Sequence, residues 1–187
     1  MKPLVTILTV AIIATLSLTA TAATQADIVG NWYAYRDRPD MGFGIGCNYE
    51  FRADGTLLLN AAINGSTPYA FDDNTTLPME MMFLIIAPGT WTFDGTTLET
   101  DYDGKQLQFE LVEIYLNNDD GKADESTVNT INMVLNSEEM RAEFKKEMEG
   151  ELTSSFNGEI YTGITFPTPD TMRAVASEGD TVDFERR

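Results

Sequence analysis

The chain has no histidine among its 187 residues, a single cysteine, and only 12 basic residues against 30 acidic ones. Without histidine there is no Ser-His-Asp or Cys-His relay and no His-ligated metal. One cysteine cannot form an internal disulfide. Cys47 falls in an apolar/polar alternation, so the expectation is a small buried hydrophobe. The formal net charge of −18 repels nucleic acid and anionic membranes, so neither is an expected partner. No phosphate-cradling glycine loop, Walker sequence or basic aromatic patch is present. These absences point away from an enzyme and imply no cofactor and no metal.

Long apolar runs are confined to the start of the chain. Lys2 is the only charge there, residues 4–18 are apolar but for Thr and Ser, and Ala20-Thr21-Ala22 fits an A-x-A cleavage site. Residues 1–22 therefore read as a signal peptide cleaved near Ala22, and the protein as exported, periplasmic or secreted. Residues 23–187 suit one domain with a real core. Their most apolar stretch, residues 79–87, is strand-sized, so no membrane span is expected in the mature chain.

What the mature chain does contain is short strands and tight turns. Cys47, Tyr49 and Phe51 alternate with Asn48, Glu50 and Arg52, the period of a half-buried strand. Asp54-Gly55 supplies a hairpin turn, and residues 57–63 return, ended by Asn64-Gly65-Ser66. Pro68, Asp72-Asp73-Asn74 and Pro78 predict a long surface connection. Residues 79–87 form the next strand, which Pro88-Gly89 breaks or bulges before Trp91 and Phe93. Asp94-Gly95 and Asp103-Gly104 are tight turns flanking residues 97–102. Leu107, Phe109 and Leu111 then alternate with polar residues, and the phase flips to Val112, Ile114 and Leu116. A β-bulge near Leu111-Val112 explains the flip.

Residues 124–156 follow a helical period. Val128, Ile131 and Leu135 share a face, and Met140, Phe144, Met148 and Leu152 form an i, i+4 stripe. Ser137 caps the second of two consecutive helices, which meet near Asn136-Ser137. Strands resume after Asn157-Gly158, with Ile160, Ile164 and Phe166 expected on one face. Residues 167–170 turn the chain, and a final hairpin crosses Glu178-Gly179-Asp180.

A mostly antiparallel meander favours a closed barrel or a sandwich. Four segments carry a resemblance: Gly30-Asn31-Trp32, residues 49–56 (Tyr-Glu-Phe-Arg-Ala-Asp-Gly-Thr), residues 89–98 (Gly-Thr-Trp-Thr-Phe-Asp-Gly-Thr-Thr-Leu) and residues 182–186 (Val-Asp-Phe-Glu-Arg). Through them the chain resembles the exported lipocalin-like (calycin) proteins of the Bacteroidota. The fold this implies is mainly β: an antiparallel up-and-down barrel of about eight to ten strands, with the helical pair inserted before the last three. The resemblance also implies that the first-strand Trp32 closes one end of the barrel under Arg186. Period two supports this, because Val182, Phe184 and Arg186 share a face. Arg187 points the other way and should be solvated.

A barrel of this size is either packed with side chains or wide enough for one small ligand. Candidate lumen residues are Trp32, Tyr49, Phe51, Leu57, Leu59, Phe93 and Phe109, with Met140, Phe144 and Met148 as a lid. Two functions stay open: binding a small apolar molecule in the barrel, or a protein-interaction or inhibitory module with a filled barrel that acts through loops. Exposed aromatics in residues 68–78 would favour the second. The acidic stretch around Asp119, Asp120, Asp124 and Glu125 fails the EF-hand spacing, because Leu116 and Thr127 fall where carboxylate-type ligands are needed. A solvated turn is expected there, with adventitious calcium binding as the alternative.

Overall fold

The computed structural model describes residues 23–38, 42–118, 120–155 and 157–187. The proposed signal peptide and Asp119 lie outside the described residues. A short helix, α1 (Gln25–Ile28), precedes β1 (Gly30–Arg38), β2 (Phe43–Phe51), β3 (Thr56–Ala70), β4 (Thr76–Phe93), β5 (Leu98–Tyr102) and β6 (Gln108–Leu116). Two helices follow, α2 (Glu125–Leu135) and α3 (Glu138–Ser155). The chain then forms β7 (Ile160–Thr168), β8 (Thr171–Ala176) and β9 (Thr181–Arg186). All nine strands are antiparallel members of one sheet, in the order β3-β2-β1-β9-β8-β7-β5-β4-β6, and a β3–β4 pairing closes it into a ring. No described helix is long and apolar enough to cross a membrane.

Alternation sets which side chains face the interior. Trp32 and Ala34 on β1, Cys47, Tyr49 and Phe51 on β2, and Leu57, Leu59 and Ala61 on β3 are all buried. So are Phe83, Ile85, Ala87 and Trp91 on β4. The Asp54-Gly55 hairpin forms as expected, with Gly55 at φ 83°. The final hairpin and the two helices also form within a residue or two of their expected bounds.

Three sequence expectations are corrected. First, Asn64-Gly65-Ser66 does not end the third strand, and residues 68–78 are not a long connection. β3 and β4 run on as a paired ribbon, with Ala70 opposite Thr76 and Pro68 opposite Pro78. The Phe71 N–H bonds to Thr75 O. By antiparallel alternation, Pro68 and Pro78 therefore fall at a non-hydrogen-bonded pair, where a missing N–H costs no β3–β4 ladder bond. The ribbon's tip is held by a second apolar cluster of Leu77, Leu116 and Val128, against which Tyr69, Phe71 and Ile131 pack.

Second, Asp103-Gly104 does not reverse the chain. β5 pairs with residues 89–93 of β4, and β6 pairs with residues 79–86 of the same strand, both antiparallel. The two strands thus lie end to end along one edge of β4, and residues 103–107 loop out between them. Pro88 explains the interruption. β4 itself is unbroken, but at Pro88 it has no N–H for that edge, and only its carbonyl is used, accepting from Asp103 N. Gly89 is needed beside it, because a Cβ there would collide with the Asp101 carbonyl.

Third, Ile160 does not share a face with Ile164 and Phe166. A register shift between Thr162 and Thr165 places Gly163 at φ 61° and flips the strand. Tyr161, not Ile160, faces inward. The bulge expected in β6 is present: Met82 pairs with Glu113 and Phe83 with Leu111, leaving Val112 as the extra residue. Val112 is consequently exposed rather than in phase with Ile114.

Among the described residues no strand pairs with the outer edge of β6; helix side chains take that place. Asn132 Oδ1 accepts from Leu116 N at 2.6 Å, and its Nδ2 donates to Leu116 O at 3.2 Å. Asn136 Nδ2 donates to Ile114 O at 2.7 Å. The Arg141 guanidinium donates to Leu111 O and Val112 O. An unprotected strand edge is thereby covered without a ladder.

Candidate functional site

The first-strand end is closed. Trp32 is fully buried, pairs directly with Arg186 across β1 and β9, and donates from Nε1 to Ile28 O at 2.7 Å. Arg186 Cζ sits 4.2 Å from the Trp32 ring centroid. Its guanidinium also donates to the carbonyls of Val29 (3.0 Å), Asp27 (2.9 Å) and Pro169 (3.3 Å). Gly30 makes room: its φ is 135°, and a Cβ there would meet Arg186 Nη1 at 2.7 Å. Arg187 is on the outer side as expected, but it is not simply solvated, since its Cζ lies 4.8 Å from the Tyr33 ring.

From that end the interior is bridged by rings. Tyr49 stacks on Phe51 with centroids 5.7 Å apart and tilts against Phe184 at 5.6 Å. Phe51 meets Trp91 at 5.3 Å, Tyr161 meets Phe184 at 5.4 Å, and Trp32 meets Phe166 at 6.3 Å. Apart from Tyr49–Phe51, which lies within β2, these contacts cross the interior between strands that do not pair: β2 with β9 and β4, β7 with β9, and β1 with β7. Of the predicted lumen residues, Trp32, Tyr49, Phe51, Leu57, Leu59 and Phe109 are buried in this core, and Phe93 is half-buried against it. Phe144 stacks on Phe83 at 5.8 Å, and Met148 also packs on the core. Met140 does not join them; it is exposed.

A polar cluster lies inside the same ring. Arg36 follows Trp32 and Ala34 on the inward face of β1. Its Nη2 donates to Glu159 Oε1 at 2.8 Å and to the Tyr161 hydroxyl at 3.2 Å. The Tyr161 hydroxyl donates to Glu159 Oε2 at 2.6 Å. That uses its one proton, so in the 3.1 Å contact between the two phenols Tyr49 is the donor. Glu159 is fixed by a second pair of bonds, its N–H to Thr100 Oγ1 and its carbonyl to Thr100 N. Burial raises the pKa of Tyr49 and Tyr161 well above the ordinary tyrosine value, and it also raises Tyr102 and the Cys47 thiol. Burial disfavours the charge on Arg36, but Tyr161 and Glu159 outweigh it, and the guanidinium is held firmly protonated. The Arg36 and Glu159 side chains keep 19% and 22% of their surface in contact with solvent, so the cluster reaches the surface at its edge.

Sequence reasoning found Tyr49 but missed Arg36, Glu159 and Tyr161. The signal for Arg36 was available, because period two from Trp32 through Ala34 aims it inward. Glu159 and Tyr161 were hidden by the Gly163 bulge, which defeats a simple face count.

The outer face carries a groove of about 590 Å³ along β3, β4 and β6. Its lining includes the outward Ala62, Leu84, Ile86 and Glu110 but also the core residues Ala61, Ile85 and Phe109, with Lys145 and Glu149 of α3. A second recess of about 360 Å³ lies between Thr90, Thr92, Glu99, Asp101 and Ile160. Two described carboxylates of the acidic turn have separate partners. Asp124 caps α2 through Thr127 N at 2.8 Å, and Asp120 pairs with Lys122 at 2.6 Å. Among the described residues no group of three or more Asp, Glu or Cys is placed to hold a metal ion.

No protein-family model matches the chain, and no curated protein matches it.

Proposed function

We propose that this protein is an exported, lipocalin-like binding module with a filled interior, which acts on a partner through its outer surface and not by catalysis. The observation that carries this reading is the set of side-chain contacts across the interior between strands that do not pair, Trp32 with Phe166 and Tyr49 with Tyr161 reaching furthest round the ring. An apolar carrier needs a cavity of roughly 300 Å³ or more, and side chains in mutual contact take up the interior between Trp32 and Tyr161. The polar cluster supports the non-catalytic half. Its tyrosines and its thiol are kept protonated, and its one carboxylate is engaged by Arg36 and Tyr161, so it offers no activated nucleophile. The outward route differs from the loop expectation, because Tyr69 and Phe71 of the 68–78 segment pack on the second cluster and are not displayed.

One observation favours a second reading, a small polar ligand at the edge of the cluster: Arg36 and Glu159 retain contact with solvent. Native mass spectrometry of the protein purified from its own host separates the two. The filled-interior reading predicts the bare polypeptide mass. A stoichiometric apolar molecule would overturn it, and a small polar molecule lost in an Arg36→Met variant would establish the second reading instead.

A further inference from the structure

We infer that the outer face of β4 and β6 is the partner-binding surface and that it takes a cationic, amphipathic polypeptide segment; the inference rests on the surface-acting reading above. Four of the exposed large hydrophobic residues of the protein lie on these two neighbouring strands: Leu84, Ile86, Val112 and Tyr115. The ladder interleaves them with acids. Leu84 stands opposite Glu110, Ile86 opposite Gln108, Met82 opposite Glu113, and Tyr115 opposite Glu80. Leu84, Ile86 and Glu110 line the 590 Å³ groove, whose floor also touches the core residues Ala61, Ile85 and Phe109, and α3 borders it with Lys145 and Glu149. Those two form an ion pair at 3.6 Å, so the lysine does not offset the strand carboxylates.

The exposure of Val112 is specific to this face. Val112 follows the inward Leu111 and so faces out, and the bulge leaves Glu113 exposed beside it before Ile114 turns in. A sheet face that is only solvated normally alternates apolar-in with polar-out. Here the outward positions mix apolar and acidic residues around a concavity. Charge decides the occupant. A second copy would bring another −18, and an anionic membrane would repel it as well. A segment pairing lysine or arginine with apolar residues satisfies both components at once, the apolar floor and the carboxylate border.

The test uses the mature chain and synthetic ten-residue peptides: alternating Lys-Leu, alternating Lys-Ser and alternating Glu-Leu. Affinity is followed by calorimetry at physiological salt, and contacts by methyl and backbone NMR. The Lys-Leu peptide should bind and shift the resonances of Leu84, Ile86, Val112 and Glu110, while the other two bind at least about tenfold more weakly. The Leu84→Ser/Ile86→Ser and Glu110→Gln/Glu113→Gln variants should each weaken it by about fivefold or more. Equal binding of Lys-Ser would overturn the inference, because charge alone would then suffice. So would shifts confined to another face, or salt-induced dimerisation through this face in place of peptide binding. These outcomes leave the filled interior untouched. A molecule found inside the ring would refute the parent reading whatever the peptides do.

Discussion

Two arginines point into the ring, and they do different things. Arg186 lies over Trp32, and its guanidinium bonds are to backbone carbonyls at Asp27, Val29 and Pro169. Arg36 lies over Tyr161 at 5.6 Å, and its bonds are to a carboxylate and a phenol. The first arrangement fastens three chain segments, the residues before β1, the β7–β8 turn and β9, at one point. Carbonyl partners cannot titrate, so it is a closure insensitive to ordinary changes of pH. The second is an ion pair embedded in hydroxyl groups, whose integrity depends on every member being present. A cation over an aromatic ring is therefore not by itself a sign of function; the remaining partners decide what the cation does.

The comparison can be broken most severely at Glu159. Glu159→Ala leaves Arg36 inside the ring without its carboxylate and should cost about 3 kcal/mol in urea unfolding. An Arg36→Met/Glu159→Leu double variant should lose less than that single change, because no uncompensated charge remains. Additive losses would mean the two residues are not coupled. At the other end, Arg186→Ala should cost about 2 kcal/mol through the lost ring contact and carbonyl bonds. Arg187→Ala should cost less than about 0.5 kcal/mol, as for an exposed surface residue. Equal, small effects of the two changes would remove Arg186 from its closing role.

Alkaline pH sharpens the same contrast. Tyr49, Tyr102 and Tyr161 have raised pKa values in the folded protein. The unfolded chain therefore releases their protons first, and stability falls as pH rises past the unfolded tyrosine value of about 10. Chemical denaturation between neutrality and pH about 11 should show that decline, and the Arg186→Ala variant should show the same slope, because its site holds none of these phenols. The smallest effect is expected at the covered edge. Asn132→Ala should cost about 1 kcal/mol and speed amide exchange at Leu116, which donates to Asn132 Oδ1.

What could be read from the sequence follows the same division. The closed end was legible because the resemblance implied Arg186 over Trp32 and period two agreed with it, placing Val182, Phe184 and Arg186 on one face. The hairpin at Asp54-Gly55 and the helices after Asp124 were legible for similar local reasons, turn chemistry and a 3.6-residue period. The polar end was not, because Tyr161 and Glu159 are placed by a bulge at Gly163 and by pairing with Thr100, neither of which leaves a periodic trace. The β3–β4 ribbon was missed for another reason. Gly65, Pro68 and Pro78 look like strand breakers, but each has a ladder position or neighbour that tolerates it, and pairing with a long partner overrides local preference. The end-to-end arrangement of β5 and β6 depends on what Pro88 lacks on the neighbouring strand, a constraint that no window along residues 98–116 contains.

The central claim is that the inside of the ring is packed and the outside does the binding. The methyl groups of Ala34, Ala174 and Val182 test it, because these residues are buried in the core and do not line the groove that Leu84 and Ile86 line. Methyl NMR of the mature chain, titrated with a lipid extract of its own host, reads both sides at once. The account predicts no saturable shift at Ala34, Ala174 or Val182. A saturable shift at those three inward residues, with Leu84 and Ile86 unmoved, would contradict it.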